Sequence, residues 1–432
     1  MRRSALLPAM AAAGLALWLA SSPPRWARRL LPARAPRNLL LVSIDTLRAD
    51  RLGSYGYAPA QTPRLDALAR SGLRFARAAT VVPLTLPAHS SLLTGTFPAW
   101  HGVRDNGGFY LGEDQTTLAE VLRGKGYRTG GFVGAFVLDR RWGIAQGFER
   151  FFDEFDLESF GEAPGMDAIQ RPGAQVVDRA LEWLGADRDR PFFAWVHLYD
   201  PHTPYEAAEP FRSRFPGTPS GAYDAEIAAA DAQVGRLLDA LDLDRRLPDT
   251  LVVVVGDHGE MLGEHGEPTH GFFVYEAAVR IPLILAGPGV PAREVEDQVR
   301  IVDVMPTVLE LLRAPPPEAV QGVSLLPLAR GERLGLVASS ESWYPRYHYG
   351  WSELHAVQDG RFKYIRAPRP ELYDLASDPG EARDLSRDDP ARLAALERAL
   401  AGLLARTASA SAPKGPRTVD AETEERLAAL GY

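Results

Sequence analysis

The chain contains no cysteine among its 432 residues. That absence excludes disulfides, thiolate metal sites and a cysteine nucleophile, although it does not fix the cellular compartment. The chain also lacks an excess of basic residues, since its formal net charge is −8. We therefore expect no nucleic-acid partner. Its longest apolar run, residues 5–20, is short for a full membrane span.

The first 36 residues have the layout of an export signal or an N-terminal membrane anchor. Arg2 and Arg3 precede the apolar run, and a basic cluster with Arg25, Arg28 and Arg29 follows it. We therefore expect a protein exported to the periplasm or the extracellular space, or associated with the membrane through residues 5–20. A buried core helix is the alternative for this segment.

Apolar runs that alternate with helical segments predict an α/β domain over residues 37–325. Residues 38–44 and 250–256 are continuous apolar runs, typical of buried parallel strands. Helices are predicted near residues 61–71, 117–125, 173–184 and 221–241. The sequence thus predicts a large, mixed but mostly parallel sheet between layers of helices.

The pattern changes after three consecutive prolines at 315–317. Short alternating strands over 336–366, a hairpin turn at 358–361 and a helix over 390–404 predict a small C-terminal antiparallel α+β subdomain, assigned to residues 326–405. Residues 406–432 are predicted to form a flexible tail.

Polar residues stand at the ends of two predicted strands and just before the start of one predicted helix. Asp45 follows the first strand, and Asp257-His258 follow the strand at 250–256, at the edge where open α/β sheets bind ligands. Thr85 precedes a helix that we expect to start at Pro87, where the helix dipole favours negative charge. Carboxylates, an imidazole and a hydroxyl suit one divalent cation such as Ca²⁺, Mn²⁺, Mg²⁺ or Zn²⁺. An isolated Thr-x-Pro would more often be a simple helix cap.

Several motifs, taken in order, resemble those of the sulfatase family within the alkaline phosphatase superfamily over residues 37–385. They are Leu41-Val-Ser-Ile-Asp45-Thr-Leu-Arg-Ala-Asp50, Leu92-Leu-Thr-Gly95 with His101-Gly102-Val103, Gly256-Asp-His-Gly-Glu260, Tyr275-Glu276 with Arg280-Ile-Pro282-Leu283, and Glu371-Leu-Tyr-Asp-Leu375 before Asp378-Pro379. The resemblance implies an alkaline-phosphatase-like fold and one catalytic divalent metal ion.

The same resemblance implies roles for individual residues. The implied metal ligands are Asp45, Thr85, Asp257 and His258. Thr85 stands at the position of the cysteine or serine that the family converts to formylglycine, and His89 stands where the signature has an arginine, so both are candidate catalytic residues. The candidate residues for anion binding or leaving-group protonation are His202 and His270, with Asn106 as a further candidate for substrate binding.

Three departures from the family pattern bear on the chemistry. Thr46 replaces the second of two aspartates at the first strand end, and the lysine expected near Gly130-Gly131 is absent. Thr85 cannot yield a formylglycine aldehyde, because oxidation of its secondary alcohol would give a ketone. No formylglycine is therefore expected, and Thr85 itself is the predicted nucleophile.

The sequence predicts a metal-dependent hydrolase of a sulfate or phosphate ester. The expected partner is this anionic ester, and glycan and lipid esters are both candidates. One alternative is a phosphodiesterase, or a phosphoglycerol or phosphoethanolamine transferase that acts on an envelope glycan or lipid. The second alternative is a non-catalytic binding protein of the same fold. The aromatic-rich segment 142–155 and the loop 203–220 are interpreted either as walls of a substrate pocket or as core packing.

Overall fold

A computed structural model describes residues 35–155, 170–215 and 220–408. A sheet of eight strands has the spatial order β4-β3-β5-β1-β6-β7-β2-β8. The strands are β1 (Asn38–Ile44), β2 (Leu73–Ala79), β3 (Arg128–Val133), β4 (Arg150–Phe152), β5 (Phe192–Leu198), β6 (Thr250–Gly256), β7 (Arg280–Ala286) and β8 (Arg293–Arg300). In this sheet β7 runs against its neighbours β6 and β2, and the other pairings are parallel. The prediction of a mixed, mostly parallel sheet is confirmed.

Helices cover both faces of this sheet. The α-helices of the described ranges, including those of the C-terminal part, are α1 (Pro63–Ser71), α2 (Thr85–Thr94), α3 (Pro98–His101), α4 (Leu118–Gly124), α5 (Gly173–Ala186), α6 (Gly221–Leu243), α7 (Glu276–Val279), α8 (Val304–Leu311), α9 (Leu326–Ala329), α10 (Tyr344–Tyr349) and α11 (Pro390–Thr407). Leu39 and Leu41 of β1 face the apolar layer that includes α2, α4 and α8. Leu40 and Val42 face the layer that includes α1, α5 and α6. Burial on both faces explains why the central strands are mostly apolar, with few polar positions such as Ser43 and His197.

The C-terminal part forms an antiparallel sheet of four strands, in the order β12-β11-β10-β9. Its strands are β9 (Ala338–Ser342), β10 (Leu354–Gln358), β11 (Phe362–Arg366) and β12 (Glu371–Asp374). Leu396 and Leu400 of α11 pack against this sheet through Val357 and Tyr364. The predicted small antiparallel α+β unit with its hairpin at 358–361 is therefore present, while the exact domain boundaries stay a prediction.

One sequence prediction about the site's framework is wrong. The helix predicted to start at Pro87 begins at Thr85, because Leu84 has the extended backbone (φ −147°, ψ 142°) of the residue that precedes a helix. Thr85 is therefore the first residue of α2 rather than a residue outside it. Its backbone N–H still belongs to the first turn, where helical N–H groups lack intrahelical partners.

The aromatic side chains of the segment 142–155 pack in the core, as one of the two interpretations of this segment expects. Phe148 lies 5.5 Å from Phe193 and 5.7 Å from Trp195, measured between ring centroids. Trp142 and Phe151 are 2% and 5% exposed. Aromatic pairs at these separations contribute to core packing beyond their buried area.

The predicted export or anchor segment falls almost wholly in residues 1–34, which lie outside the described ranges, as do residues 409–432 of the predicted tail. Within the ranges that the structure describes, no helix combines the length and the apolar character that crossing a membrane requires.

Lys363 of β11 links the C-terminal sheet to α7 through a buried cluster of charges. It is fully buried, and its Nζ lies 3.1 Å from Glu276 Oε1 and 2.9 Å from Glu381 Oε1. Burial lowers the pKa of Lys363, but the two glutamates outweigh that effect and raise it. The lysine therefore stays charged and compensates the buried carboxylate of Glu381 and the partly buried carboxylate of Glu276.

We expect Lys363→Met to lower the free energy of unfolding by about 3–5 kcal/mol, because it leaves the buried Glu381 and the partly buried Glu276 without a cation. Arg361→Ala is the matched control, since Arg361 is 64% exposed in its pair with Asp374 and its loss should cost about 1 kcal/mol or less. Urea unfolding of both variants measures the difference. Equal effects would contradict a structural role for the buried cluster.

Candidate active site

The candidate site forms where two neighbouring strands and one helix meet. Strand β1 pairs with β6 so that Ile44 lies opposite Gly256, and the next residues, Asp45 and Asp257, leave the sheet side by side. The Thr85 hydroxyl at the start of α2 lies 3.4 Å from Asp45 Oδ2 and 3.3 Å from His258 Nε2. These residues are 2% exposed or less. The sequence-predicted ligand set is thus brought together in one buried cluster.

Two glycines allow the chain to turn tightly after β6. A Cβ atom on Gly256 would lie 2.6 Å from the Leu47 carbonyl oxygen, and one on Gly259 would lie 2.0 Å from the Ala277 carbonyl oxygen. Both distances are too short for any larger residue without movement of the backbone. The glycines that flank Asp257-His258 therefore hold these two side chains at the end of the sheet.

The donor set fits a divalent cation. One ligand atom each from Asp45, Asp257 and His258 lies within 4.8 Å of the others. Asp45 Oδ1 and Asp257 Oδ2 are buried without a hydrogen-bond partner, whereas their other oxygens accept from His197 and from the backbone of residues 46 and 258. Buried carboxylate oxygens without partners are costly unless a cation neutralises them. Two oxygens and one imidazole nitrogen therefore face a common point with the chemistry of a metal site.

The protonation of the two aspartates agrees with that interpretation. Burial raises the pKa of Asp45, but the hydrogen bond from His197 and the nearby His258 and His202 outweigh it and lower the pKa below its usual value. Burial, and then the charge of Asp45, raises the pKa of Asp257 well above its usual value. A cation between the two carboxylates would remove this mutual repulsion.

His258 presents one ring nitrogen to the cluster. Its Nδ1 lies 2.9 Å from the Gly259 carbonyl oxygen, and because a carbonyl only accepts, Nδ1 must carry the proton. The lone pair is therefore on Nε2, which lies 3.6 Å from Asp45 Oδ1 and 3.5 Å from Asp257 Oδ2. Burial lowers the pKa of His258 well below its usual value, so the ring is neutral, as a metal ligand requires.

His197 of β5 belongs to the site, although sequence reasoning did not assign it a role. The Gly134 N–H donates to His197 Nδ1 over 3.3 Å, so the ring proton is on Nε2, which donates to Asp45 Oδ2 over 3.2 Å. This bond leaves Oδ1 of Asp45 directed at the other ligands. A histidine in the middle of a buried apolar strand is the signal that could have identified it.

We expect His197→Gln to weaken Mn²⁺ affinity by about 10- to 100-fold, since residues that orient metal ligands commonly contribute that much. Titration calorimetry on the metal-free protein measures it. His101→Gln is the matched control, because His101 is equally buried but bonds only Ser91 and the backbone of Val103. Unchanged affinity in His197→Gln would show that Asp45 is oriented without it.

His89 contacts the backbone of Thr85 rather than its hydroxyl. His89 Nδ1 donates to the Thr85 carbonyl oxygen over 2.8 Å, and Nε2 accepts from the Ser43 hydroxyl over 2.8 Å. Trp195 Nε1 in turn donates to Ser43 Oγ over 2.9 Å. Burial, and then His197, lowers the pKa of His89 to about 3, so the ring is neutral. The geometry suits a residue that positions Thr85, and a direct catalytic contact by His89 stays a prediction.

Asn106, a candidate for substrate binding, supports the first turn of α2. Its Oδ1 accepts from the Leu86 N–H over 2.9 Å. The residue before it, Asp105, accepts from His348 Nε2 of α10 over 2.9 Å. The structure thus gives Asn106 a capping role, while a contact between its amide and a substrate stays a prediction.

His202 and His270, the other candidates, lie close to His258 of the cluster. The ring centroid of His270 is 4.5 Å from that of His258 and 5.1 Å from that of His202. His270 Nδ1 lies 3.0 Å from Glu260 Oε1, and Tyr205 donates to the other oxygen of Glu260 over 2.9 Å. His202 Nδ1 donates to the Thr203 carbonyl oxygen over 2.6 Å. Both imidazoles are therefore held beside the candidate metal ligands. Tyr205 of the loop 203–220 supports His270 through Glu260.

Thr46 has a strained backbone at the centre of the site. Its φ of 51° lies in the left-handed region, which costs a β-branched residue about 1–3 kcal/mol. The conformation lets its N–H donate to Asp257 Oδ1 over 3.1 Å, while its carbonyl accepts from Tyr223 over 2.6 Å. Its hydroxyl oxygen is buried without a partner. The sequence departure at Thr46 therefore lies directly beside the ligand cluster.

The carboxyl edge of the mixed sheet carries two carboxylates and an imidazole beside the Thr85 hydroxyl of α2, a donor set that suits a metal ion. The family profile described as Sulfatase matches residues 37–314, and the profile described as N-sulphoglucosamine sulphohydrolase, C-terminal, matches residues 263–408. The chain belongs to the sulfatase family, and the predicted resemblance and the predicted class of ester hydrolase are confirmed. Enzymes of this family depend on metal ions, in agreement with the ligand cluster.

Individual relatives include enzymes for sulfate and phosphonate esters. The chain is 28% identical to human arylsulfatase A, over 82% of this chain and 84% of that protein. It is 26% identical to the uncharacterized sulfatase YidJ of Escherichia coli strain K12, over 81% of this chain and 83% of that protein. The crystal structure of the phosphonate monoester hydrolase of Agrobacterium radiobacter is similar with a TM-score of 0.74 at 25% identity, over 87% of this chain and 96% of that one.

Proposed function

We propose that this protein is an exported, metal-dependent hydrolase in which the Thr85 hydroxyl attacks the sulfur or phosphorus atom of an anionic ester. The observation that supports this most strongly is the position of the hydroxyl. It lies at the start of α2, within 3.4 Å of Asp45 and His258, beside two carboxylate oxygens without partners. A hydroxyl at a helix N-terminus and next to a cation site is a suitable nucleophile.

The metal ligands in this proposal are Asp45, Asp257, His258 and the Thr85 oxygen, and Ca²⁺, Mn²⁺, Mg²⁺ and Zn²⁺ remain the candidate ions. A bound divalent cation would supply positive charge that favours the ionised hydroxyl and offsets the charge of the ester. Thr85 is proposed to occupy the position at which other members carry formylglycine.

The proposed reaction has two steps. A bond forms from Thr85 Oγ1 to sulfur or phosphorus, the bond to the leaving-group oxygen breaks, and the threonine proton is released to solvent. His202 or His270 gives a proton to the leaving oxygen, since both rings lie beside the cluster and His270 is held by Glu260. Water then hydrolyses the threonine ester and restores the hydroxyl.

Turnover of matched esters tests this proposal. The metal-free protein would be loaded in turn with each of the four cations and assayed on an aryl sulfate, a phosphate monoester, a phosphodiester and a phosphonate monoester. We expect metal-dependent hydrolysis of at least one ester, with water as acceptor. Turnover that requires a glycan or lipid alcohol as acceptor would identify a transferase instead. Tight metal binding without turnover of any ester would favour a binding protein of the same fold.

A further inference from the structure

An exposed group of aromatic side chains lies beside the candidate site. Tyr349 and Trp351 are 52% and 63% exposed, and their ring centroids are 5.4 Å apart. The ring of Phe272 lies 5.1 Å from Tyr349 and 6.0 Å from Trp351. We call these three residues the aromatic rim. Single exposed aromatics are common, but a contiguous group marks an interaction surface.

A cavity of about 400 Å³ opens beside the aromatic rim. Its walls are almost entirely apolar and include Phe272, Phe273, Pro345, Trp351, Leu354 and Ile365. Ser352, Arg369 and Glu371 are polar residues of the lining, and Glu371 already accepts from the hydroxyls of Tyr275 and Tyr373 over 2.9 and 2.8 Å. The cavity therefore offers contact area for an apolar group and little hydrogen bonding for a ligand rich in hydroxyls.

The aromatic rim is joined to the nucleophile helix by short connections. Phe272 follows His270 by two residues, and a Cβ atom on the intervening Gly271 would lie 3.4 Å from Leu84, the residue before Thr85. Helix α10, which ends at Tyr349, is bonded through His348 to Asp105, next to the Asn106 cap of α2. The aromatic rim therefore adjoins both the residue before Thr85 and the segment that carries His270.

We propose that the aromatic rim and its cavity are the subsite for the alcohol part of the substrate, and that this part carries a planar apolar ring. The inference rests on the proposed function of Thr85. Aromatic faces bind flat rings in offset or edge-to-face arrangements. A sugar ring in the same place would lose water from its hydroxyls against walls that offer few partners.

Paired substrates with one acid and different alcohols test the subsite. The 2-naphthyl, methyl and glucosyl esters of the acid that the enzyme hydrolyses would be compared in the parent and in Trp351→Ala and Tyr349→Ala. We expect KM for the naphthyl ester to rise about tenfold in each variant, from the loss of one aromatic contact, with kcat and the methyl ester unchanged. Leu243→Ala, which removes an 85% exposed apolar side chain elsewhere, should change nothing. Equal losses on all three esters, or losses confined to the glucosyl ester, would overturn the proposal.

Binding of free 2-naphthol separates this inference from the proposed function, because 2-naphthol has no ester to cleave. We expect it to bind both the parent and Thr85→Ala with the same affinity, and to bind Trp351→Ala about tenfold more weakly. This result would support the subsite even if Thr85 were not the nucleophile. Failure of 2-naphthol to bind the parent would overturn the subsite whatever the turnover assays show.

Discussion

Replacing Thr85 with alanine is expected to lower kcat by about 10⁴-fold, the scale on which removal of a covalent nucleophile acts. The side chain lost is small and lies at the first position of α2, where alanine is compatible with the helix. The candidate ligand atoms of Asp45, Asp257 and His258 stay in place. We therefore expect metal affinity to fall much less than kcat, and steady-state assays with calorimetric metal titration would measure both.

Two further variants make that result specific. Thr85→Ser keeps a hydroxyl at the same position and should retain turnover within about tenfold of the parent, because the attacking group is preserved. Thr94→Ala is the matched control at the other end of α2, where the threonine hydroxyl bonds only the Ser90 carbonyl and Thr96. Loss of turnover in Thr94→Ala as large as in Thr85→Ala would point to damage of the helix rather than of the nucleophile.

Asp257→Asn is expected to have opposite effects on metal binding and on the stability of the metal-free protein. Metal affinity should fall by about 100-fold or more, since even residues behind the ligands contribute 10- to 100-fold. The parent should gain about 2.7 kcal/mol of unfolding free energy at a metal concentration 100 times its Kd, whereas a variant that binds 100-fold more weakly should gain only about 0.4 kcal/mol at that concentration. Thermal or urea unfolding with and without Mn²⁺ measures both quantities.

The stability effect follows from the direction of the pKa shift of Asp257. Because its pKa is raised in the folded state, the folded protein binds more protons than the unfolded chain above the unfolded pKa of about 3.9. The contribution of Asp257 to the stability of the metal-free protein therefore falls as the pH rises above that value towards its folded pKa, and neutral asparagine removes this penalty. At pH 7 the metal-free variant should be at least as stable as the parent.

Asp231→Asn is the control for these measurements. Asp231 is also buried and has a pKa raised to about 6 by burial, but it accepts from the backbone of Arg64 and Leu65, away from the site. The substitution Asp231→Asn should therefore leave metal affinity unchanged. A metal-dependent gain in stability that survives in Asp257→Asn would show that the cation binds elsewhere.

The sequence predicted the fold best where a continuous apolar run is followed directly by polar residues of the site. The runs at 38–44 and 250–256 could be predicted as buried strands, and they end where Asp45 and Asp257 had to lie close together. Strands β2 and β8 were not predicted, because β2 carries Arg74 and Arg77 and the edge strand β8 is mostly charged or polar, with only two valines. Charged side chains there form cross-strand pairs such as Arg74–Glu294, a feature that only the pairing of distant strands reveals.

The candidate site likewise contains residues that could be predicted from the sequence and residues that could not. Thr85, Asp257 and His258 stand in motifs, so their roles could be predicted from the resemblance. His197 could not, because its role depends on parallel pairing of β5 with β1, which places it opposite Ser43 and next to Asp45. The contact of His89 with the Thr85 carbonyl likewise depends on the helix starting at Thr85 rather than at Pro87.

Mass spectrometry of the enzyme quenched with acid during turnover detects the proposed threonine ester directly. The metal-loaded protein would be mixed with saturating amounts of the ester that it hydrolyses, quenched rapidly, digested and searched for a modified peptide. We predict one sulfuryl or phosphoryl group on Thr85, absent from Thr85→Ala and from metal-free protein. A modified residue other than Thr85, or full turnover by Thr85→Ala, would contradict the assignment of Thr85 as the nucleophile.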